Sequence, residues 1–221
     1  MEIKISEKPV EYSQAMVEME GRHAQVLNGE ADELIWLLEH EDVYTAGISA
    51  NDDELLTNEI PVFKTKRGGK FTYHGVGQQV CYFVLDLKKR SQKIPDVRCF
   101  VSCLEDIIIN SLAQIGIIGE KRKDRIGVWV VNNRIEQKIA AIGVKFSKGI
   151  TMHGIAINIC PDLKKFSGII PCGISDFGVC SVKSLGVQTS IIDFQTTLIT
   201  EIHNAEKENF YQNLYSNSCK I

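Results

Sequence analysis

The sequence predicts an α+β domain, a mixed and largely antiparallel sheet flanked by helices. Three observations carry that prediction. Two long stretches repeat apolar residues at helical spacing, several short runs are rich in Val and Ile, and two of those runs are joined by a glycine-bearing link too short for a crossover. At 221 residues the chain is long enough to bury a substantial core, and one domain over 1–221 is expected.

Along the chain, Tyr12, Met16, Met19, His23 and Val26 recur every three or four residues and predict a helix over 12–26. Residues 34–39 form a continuous apolar run of strand length, as do 80–87 with Tyr82, Phe83 and Val84 at their centre. Over 96–114, Val97, Val101, Leu104, Ile108 and Leu112 share one helical stripe, with Cys99 and Cys103 on a neighbouring face. No third ligand accompanies those cysteines, so packing is expected of them rather than metal binding. Strands are expected over 127–131, 139–146 and 152–159. The link Ser147-Lys148-Gly149 makes the last two an antiparallel hairpin. A final helix is expected over 191–215, with Ser190 and Asp193 spaced to cap it.

Composition narrows the function. A formal charge of −3 and 24% charged residues offer no basic footprint for nucleic acid or an anionic membrane surface. No segment approaches the ~18 apolar residues of a membrane span, and the opening run Met1-Glu2-Ile3-Lys4-Ile5-Ser6 has no apolar stretch of signal-peptide length. The seven cysteines are odd in number and include no C-x-x-C pair. Free thiols in a reduced cytoplasm, with no metal and no cofactor, are therefore expected.

Three segments invite chemistry. In the run from Arg67 to Gln78, four glycines accompany Arg67, Tyr73 and His74. The glycines allow close approach of a ligand to the backbone, and the three side chains suggest donors beside an apolar cavity. The spacing matches neither the phosphate loop nor the dinucleotide fingerprint. Lys138 opens the apolar run Ile139-Ala140-Ala141-Ile142-Gly143-Val144, where partial desolvation would ease its proton exchange. Cys172 stands between Pro171 and Gly173, residues that pin a sharp turn and expose a thiol. An ammonium beside a thiol favours the thiolate, so Lys138 and Cys172 would form a self-consistent dyad. Asp176-Phe177-Gly178 spells a kinase triplet without the other kinase signatures, and no Gly-x-Ser-x-Gly elbow is present. For His153, ahead of Gly154 in a strand, a structural role is expected rather than that of a general base.

These segments together resemble the lipoyl(octanoyl) transferase family. The resemblance rests on Leu38-Glu39-His40 with Val43-Tyr44-Thr45-Ala46-Gly47, on Arg67-Gly68-Gly69 followed by Thr72-Tyr73-His74-Gly75 and Gly77-Gln78, on Lys138-Ile139-Ala140-Ala141-Ile142-Gly143, on His153-Gly154-Ile155-Ala156-Ile157-Asn158, and on Pro171-Cys172-Gly173. It covers about 37–181. Glu41-Asp42 replace a pair often rich in proline, and Val76 stands where the family usually has proline.

The resemblance implies the fold of biotin and lipoate protein ligases, with Cys172 as acyl-thioester nucleophile and Lys138 as the residue that lowers its pKa. It further implies an acyl site lined by Arg67, Gly68, Gly69, Lys70, Phe71, Thr72, Tyr73 and His74, by Ala141, Ile142 and Gly143, and by Gly154, Ile155 and Ala156. The implied donor is octanoyl-acyl carrier protein. The implied acceptors are lipoyl domains of 2-oxoacid dehydrogenase E2 subunits and the glycine cleavage H protein. Two alternatives stay open: an ATP-dependent lipoate or biotin ligase, which would accept free octanoate with ATP, and a non-catalytic acyl-carrier-binding module, which would bind octanoyl-acyl carrier protein yet alkylate no faster at Cys172 than at the other thiols.

Overall fold

In the computed structural model, residues 1–89, 96–170 and 178–207 are described. A seven-stranded sheet organises them. Its strands are β1 (Glu2–Ile5), β2 (Leu34–Leu38), β6 (Gln78–Val84), β9 (Ile150–Asn158), β8 (Ile135–Ser147) and β10 (Gly178–Val179) in spatial order, with β7 (Val128–Asn132) also paired to β8. The long central pairs β2–β6, β6–β9 and β8–β9 are antiparallel, whereas β1–β2 and β8–β10 are parallel. A helix, α1 (Tyr12–Asn28), connects β1 to β2, and such a crossover allows their parallel pairing. A second sheet holds β4 (Val62–Lys64), β3 (Val43–Ala46) and β5 (Phe71–His74) in that order.

Helix α1 starts at Glu11, whose carboxylate accepts the Ser13 N–H, and stops at Gly29, whose left-handed backbone returns its N–H to Gln25 and Val26. Its buried stripe of Ala15, Met19 and Val26 packs on Trp36, Tyr82, Met152 and Ala156. The other sheet face carries the larger core, where Phe83, Ile139, Ile155 and Ile157 meet α2 (Val97–Ala113) and α3 (Ile191–Lys207). As expected, Cys99 is buried in that core and Cys103 lies partly buried against it. Asp96 caps α2 at the Arg98 N–H. Ser190 accepts the Asp193 N–H at 3.0 Å and donates to its carboxylate, the cap expected for α3. Among the described residues α3 ends at Lys207, and the expected extension to 215 lies outside them.

The Lys148-Gly149 turn has positive φ at both residues, as a two-residue hairpin needs, and joins Ser147 to Ile150 in register. Three expectations are corrected. Lys138 sits inside β8, which begins three residues earlier at Ile135 because Asn133-Arg134 makes a second two-residue turn with positive φ. The run 67–78 is not one loop: Phe71–His74 is strand β5, and only the glycines on either side turn. The strand expected over 80–87 runs instead from Gln78 to Val84. Among the described residues no helix is long and apolar enough to cross a membrane.

Candidate active site

Lys138 faces Trp129, its partner across the β7–β8 ladder, and its Nζ lies 4.8 Å from the centre of that indole. The side chain is buried, and the ammonium donates to the Ile126 carbonyl at 3.0 Å. On the other edge of β8, Val179 of β10 is the direct partner of Lys138, and the Cys180 N–H donates to the Lys138 carbonyl at 3.0 Å. The polypeptide following the Pro171-Cys172-Gly173 run therefore re-enters the sheet alongside Lys138. Cys172 itself lies outside the described residues. Cys180 is a nearby thiol, and burial pushes its pKa up to about 12, so it stays protonated and a poor nucleophile near neutrality.

The pleat sorts the other expected residues. Across β8 and β9, Ala141 pairs with Ala156, Ile142 with Ile155, and Gly143 with Gly154. Ile142 and Ile155 belong to the core under α2 and α3, so Ala141 and Gly143 point to the opposite face. There the loop of Arg67 and Gly68 crosses the strand, and the Gly68 N–H donates to the Val144 carbonyl at 2.9 Å. A Cβ on Gly143 would come within 3.0 Å of the Gly68 oxygen and 3.1 Å of Arg67 Cδ. Gly154 is tighter still, with the Cys81 carbonyl oxygen 2.2 Å from where its Cβ would be.

Arg67 is buried, and its guanidinium donates to the Thr45 carbonyl at 2.6 Å, the Thr45 hydroxyl at 2.7 Å, the Lys70 carbonyl at 3.0 Å and the Gly68 carbonyl at 2.9 Å. These bonds clamp the glycine loop to β3, where sequence reading had expected donors facing a ligand. Lys70 pairs with Glu54, whose carbonyl receives the Ile170 N–H at 2.8 Å. In β5, Phe71 and Tyr73 pack with Tyr44 and Phe166, while Thr72 and His74 face the other way.

A buried polar chain links these motifs. His74 Nδ1 donates to Gln78 Oε1 at 3.1 Å, since that oxygen can only accept. Gln78 Nε2 donates to the Tyr73 carbonyl and to Asn158 Oδ1, each at 3.0 Å. Asn158 Nδ2 donates to the Cys180 carbonyl at 2.9 Å, and Cys180 in turn bonds Lys138. Beside this chain stand two further buried histidines. His40 donates from Nδ1 to the Val10 carbonyl at 2.8 Å and accepts the Tyr82 hydroxyl at Nε2 at 2.6 Å. Burial lowers its pKa to about 4, and that of His153 to about 3. His153 accordingly stays neutral, edge-on to Tyr82. Among the described residues no three His, Cys, Asp or Glu side chains converge as a metal site requires.

A cleft of about 520 Å³ opens elsewhere, lined by Lys8, Pro9, Glu41, Asp42, Tyr73, Val76, Asp162 and Lys165. Five of its eight lining residues are charged, and of the residues expected at an acyl site it includes only Tyr73. Sequence reading missed His40, Gln78 and Asn158 as site-building groups. Their presence in the recognised motifs was the available signal.

The chain matches the family model described as the lipoyl protein ligase A/B catalytic domain over residues 11–203. It is 45% identical over 199 residues to the octanoyltransferase of Wolbachia pipientis subsp. Culex pipiens (strain wPip), covering 90% of this chain and 96% of that protein. It is 50% identical over 202 residues to the octanoyltransferase of Parvibaculum lavamentivorans, covering 89% and 88%. Among solved structures it superimposes on a Thermoplasma acidophilum putative lipoate protein ligase with bound lipoic acid. That match has a TM-score of 0.70 at 18% identity and covers 93% of this chain and 85% of the other. A lipoate-protein ligase A bound with ATP gives 0.69 at 16%, covering 94% and 86%. At such identities the superpositions speak for the fold alone, but the sequence matches carry further: the chain belongs to the lipoyl protein ligase A/B catalytic domain family.

Proposed function

We propose that this protein is an octanoyltransferase that carries the acyl group on Cys172 and uses Lys138 to move protons. The observation that carries this reading is the placement of Lys138: buried, ammonium held by a backbone carbonyl, and paired to the strand that follows the Cys172 segment. The Cys172 thiolate attacks the thioester carbonyl of octanoyl-acyl carrier protein. A new carbon–sulfur bond forms as the bond to pantetheine breaks, and the Lys138 ammonium gives its proton to the departing sulfur. An amine of a lipoyl-domain lysine then attacks the acyl-enzyme. Cys172 leaves as thiolate, and Lys138 accepts the surplus proton from the amine. Thioester exchange is nearly thermoneutral and amide formation runs downhill, so neither half-reaction calls for ATP.

Arg67 to His74, Ala141 to Gly143 and Gly154 to Ala156 form the wall of the acyl site in this proposal. The space over Gly143 and Gly154 is taken by the Gly68 and Cys81 carbonyls, so in this proposal the small side chains beside a straight alkyl chain are those of the Ala141–Ala156 pair. Lipoyl domains of E2 subunits and the H protein are the proposed acceptors, and the cytoplasm the proposed compartment.

Mass spectrometry after incubation with octanoyl-acyl carrier protein tests the reading. An octanoyl adduct on Cys172, absent from Cys172→Ser and lost with transfer in Lys138→Ala, is expected. An unmodified Cys172 in an active preparation refutes it, and transfer from free octanoate that depends on ATP would assign the protein to ligase chemistry instead.

A further inference from the structure

The far side of the peptide that holds Lys138 is also occupied. The Ile126 carbonyl that accepts the ammonium and the Gly127 N–H belong to one peptide unit, and that N–H donates to Glu105 Oε1 at 3.1 Å. Glu105 projects from α2 into the base of the sheet and is only 7% exposed. An acid is rarely buried there without a task, because an ionised carboxylate loses its hydration.

We propose that Glu105 is a positioning residue for Lys138: through the Ile126–Gly127 peptide it fixes the carbonyl that holds the ammonium and supplies the negative charge that keeps the lysine protonated in the resting enzyme, ready to give its proton to the departing sulfur. This rests on the reading of Lys138 as the proton-handling group. A carboxylate at the N–H end of a peptide polarises that peptide and strengthens its oxygen as an acceptor. The geometry leaves no slack. Gly127 has φ +121°, a conformation L side chains rarely adopt, and a Cβ there would lie 2.6 Å from the Ala140 oxygen, 3.2 Å from Lys138 Cε and 3.4 Å from its Nζ. Only glycine lets the peptide stand between carboxylate and ammonium.

The charged groups around this pair come from several elements. Asp106 follows Glu105 on α2 and pairs with Lys121 at 2.7 Å. Arg125 lies 4.7 Å from the centre of the same Trp129 ring as Lys138 and pairs with Glu136 of β8, which also holds Arg122. Burial pushes the Glu105 carboxyl upward, against the Gly127 N–H and the Lys121 and Lys138 ammonium groups, which pull it down. Asp106 pushes it up as well. Asp106 and Glu136 each have a cationic partner of their own, which leaves Glu105 as the carboxylate directed at the Lys138 peptide.

Competitive labelling of amines by an acylating reagent, read by mass spectrometry at Lys138 across pH, tests the charge directly. Glu105→Gln keeps an acceptor for the Gly127 N–H and removes the charge. The labelling midpoint of Lys138 should fall by about one pH unit, and the basic limb of the transfer rate should move down with it. KM for octanoyl-acyl carrier protein should stay within about twofold, since Glu105 touches the lysine's anchor and not the donor. Glu105→Ala, which also loses the acceptor, should lower kcat about tenfold beyond Glu105→Gln. An unchanged midpoint and rate profile in Glu105→Gln overturns the proposal.

Should Glu105→Gln fail to fold, Glu105→Asp asks the converse. It keeps the charge but withdraws the acceptor by one methylene, so kcat should drop with the labelling midpoint nearly in place; unchanged kcat overturns the proposal. The wild-type protein, assayed in parallel for the Cys172 adduct, separates the two failures. A missing adduct removes the catalytic reading while the Lys138 midpoint still reports on Glu105. A normal adduct with an unmoved midpoint removes the role of Glu105 alone.

Discussion

Acid should destabilise this protein well above the range where ordinary carboxylates titrate, and the perturbation can be followed to two histidines. An unfolded chain takes up protons at histidine near 6.5, whereas burial lowers His40 to about 4 and His153 to about 3 in the native state. The unfolded state therefore binds more protons in the window below 6.5. The histidines' contribution is fully present above that value and is lost as pH falls toward the folded values. At about pH 5 the linkage relation gives a loss of about 2 kcal/mol for each, or about 4 kcal/mol for both, against a typical total of 5–15 kcal/mol. His74 acts in the same direction, since burial and the charges of its neighbours His40 and Arg67 lower it well below its ordinary value. Glu105, pushed up by burial, acts oppositely and offsets a small part. Urea midpoints between about pH 7.5 and about pH 5 should fall continuously, and His40→Gln should flatten the slope by close to one proton. A midpoint independent of pH across that window, or an unchanged slope in His40→Gln, refutes the reasoning.

Further outcomes follow from packing and exposure. Gly154→Ala should cost about 2–3 kcal/mol and shift the thermal midpoint down, because its Cβ would strike the Cys81 carbonyl, which belongs to a central strand that cannot retreat. Arg67→Ala should cost about 3 kcal/mol, and Arg67→Lys only part of it, since lysine cannot span the Thr45, Gly68 and Lys70 oxygens at once; denaturant curves of the two variants check the order. Under native conditions a thiol reagent should modify exposed Cys160 rapidly, while Cys81 and Cys180, buried and with raised pKa values, react only on unfolding. Residue-resolved alkylation separates these classes.

Where local chemistry decided the structure, the sequence was legible. The stripe of α1, the Ser190 cap of α3 and the Lys148-Gly149 hairpin each depend on residues within a few positions, and each was found as expected. The second sheet was not, because β3, β4 and β5 hold only three or four residues apiece and β5 sits between glycines that mimic a loop. The turn at Asn133-Arg134 was hidden because arginine at positive φ carries no signal, although the asparagine beside it does. The histidine cluster was out of reach for another reason. His40, His74 and His153 lie far apart along the chain, and the pairing of β6 with β2 and β9, together with that of β5 with β3, gathers them.

The recognised motifs turn out to divide their labour in a way that spacing alone hides. Arg67 looked like a ligand donor, yet its guanidinium is taken up by Thr45, Gly68 and Lys70, so its charge shapes the loop that crosses Gly143. Gln78 and Asn158 stand in the recognised motifs with no role assigned by sequence, yet they tie the His74 strand to the backbone of Cys180 and so to Lys138. A chain of buried amides tolerates no partial loss, because each member left unpaired in a low-dielectric interior costs about 1–3 kcal/mol. Substituting Asn158 by Leu should therefore loosen the β10 return beside Lys138 more than it harms the sheet. Hydrogen exchange should show this as faster exchange at the Cys180 N–H with little change at Ile157. Equal protection at both in Asn158→Leu would mean that the chain is a consequence of the fold and not one of the things that holds the site in place.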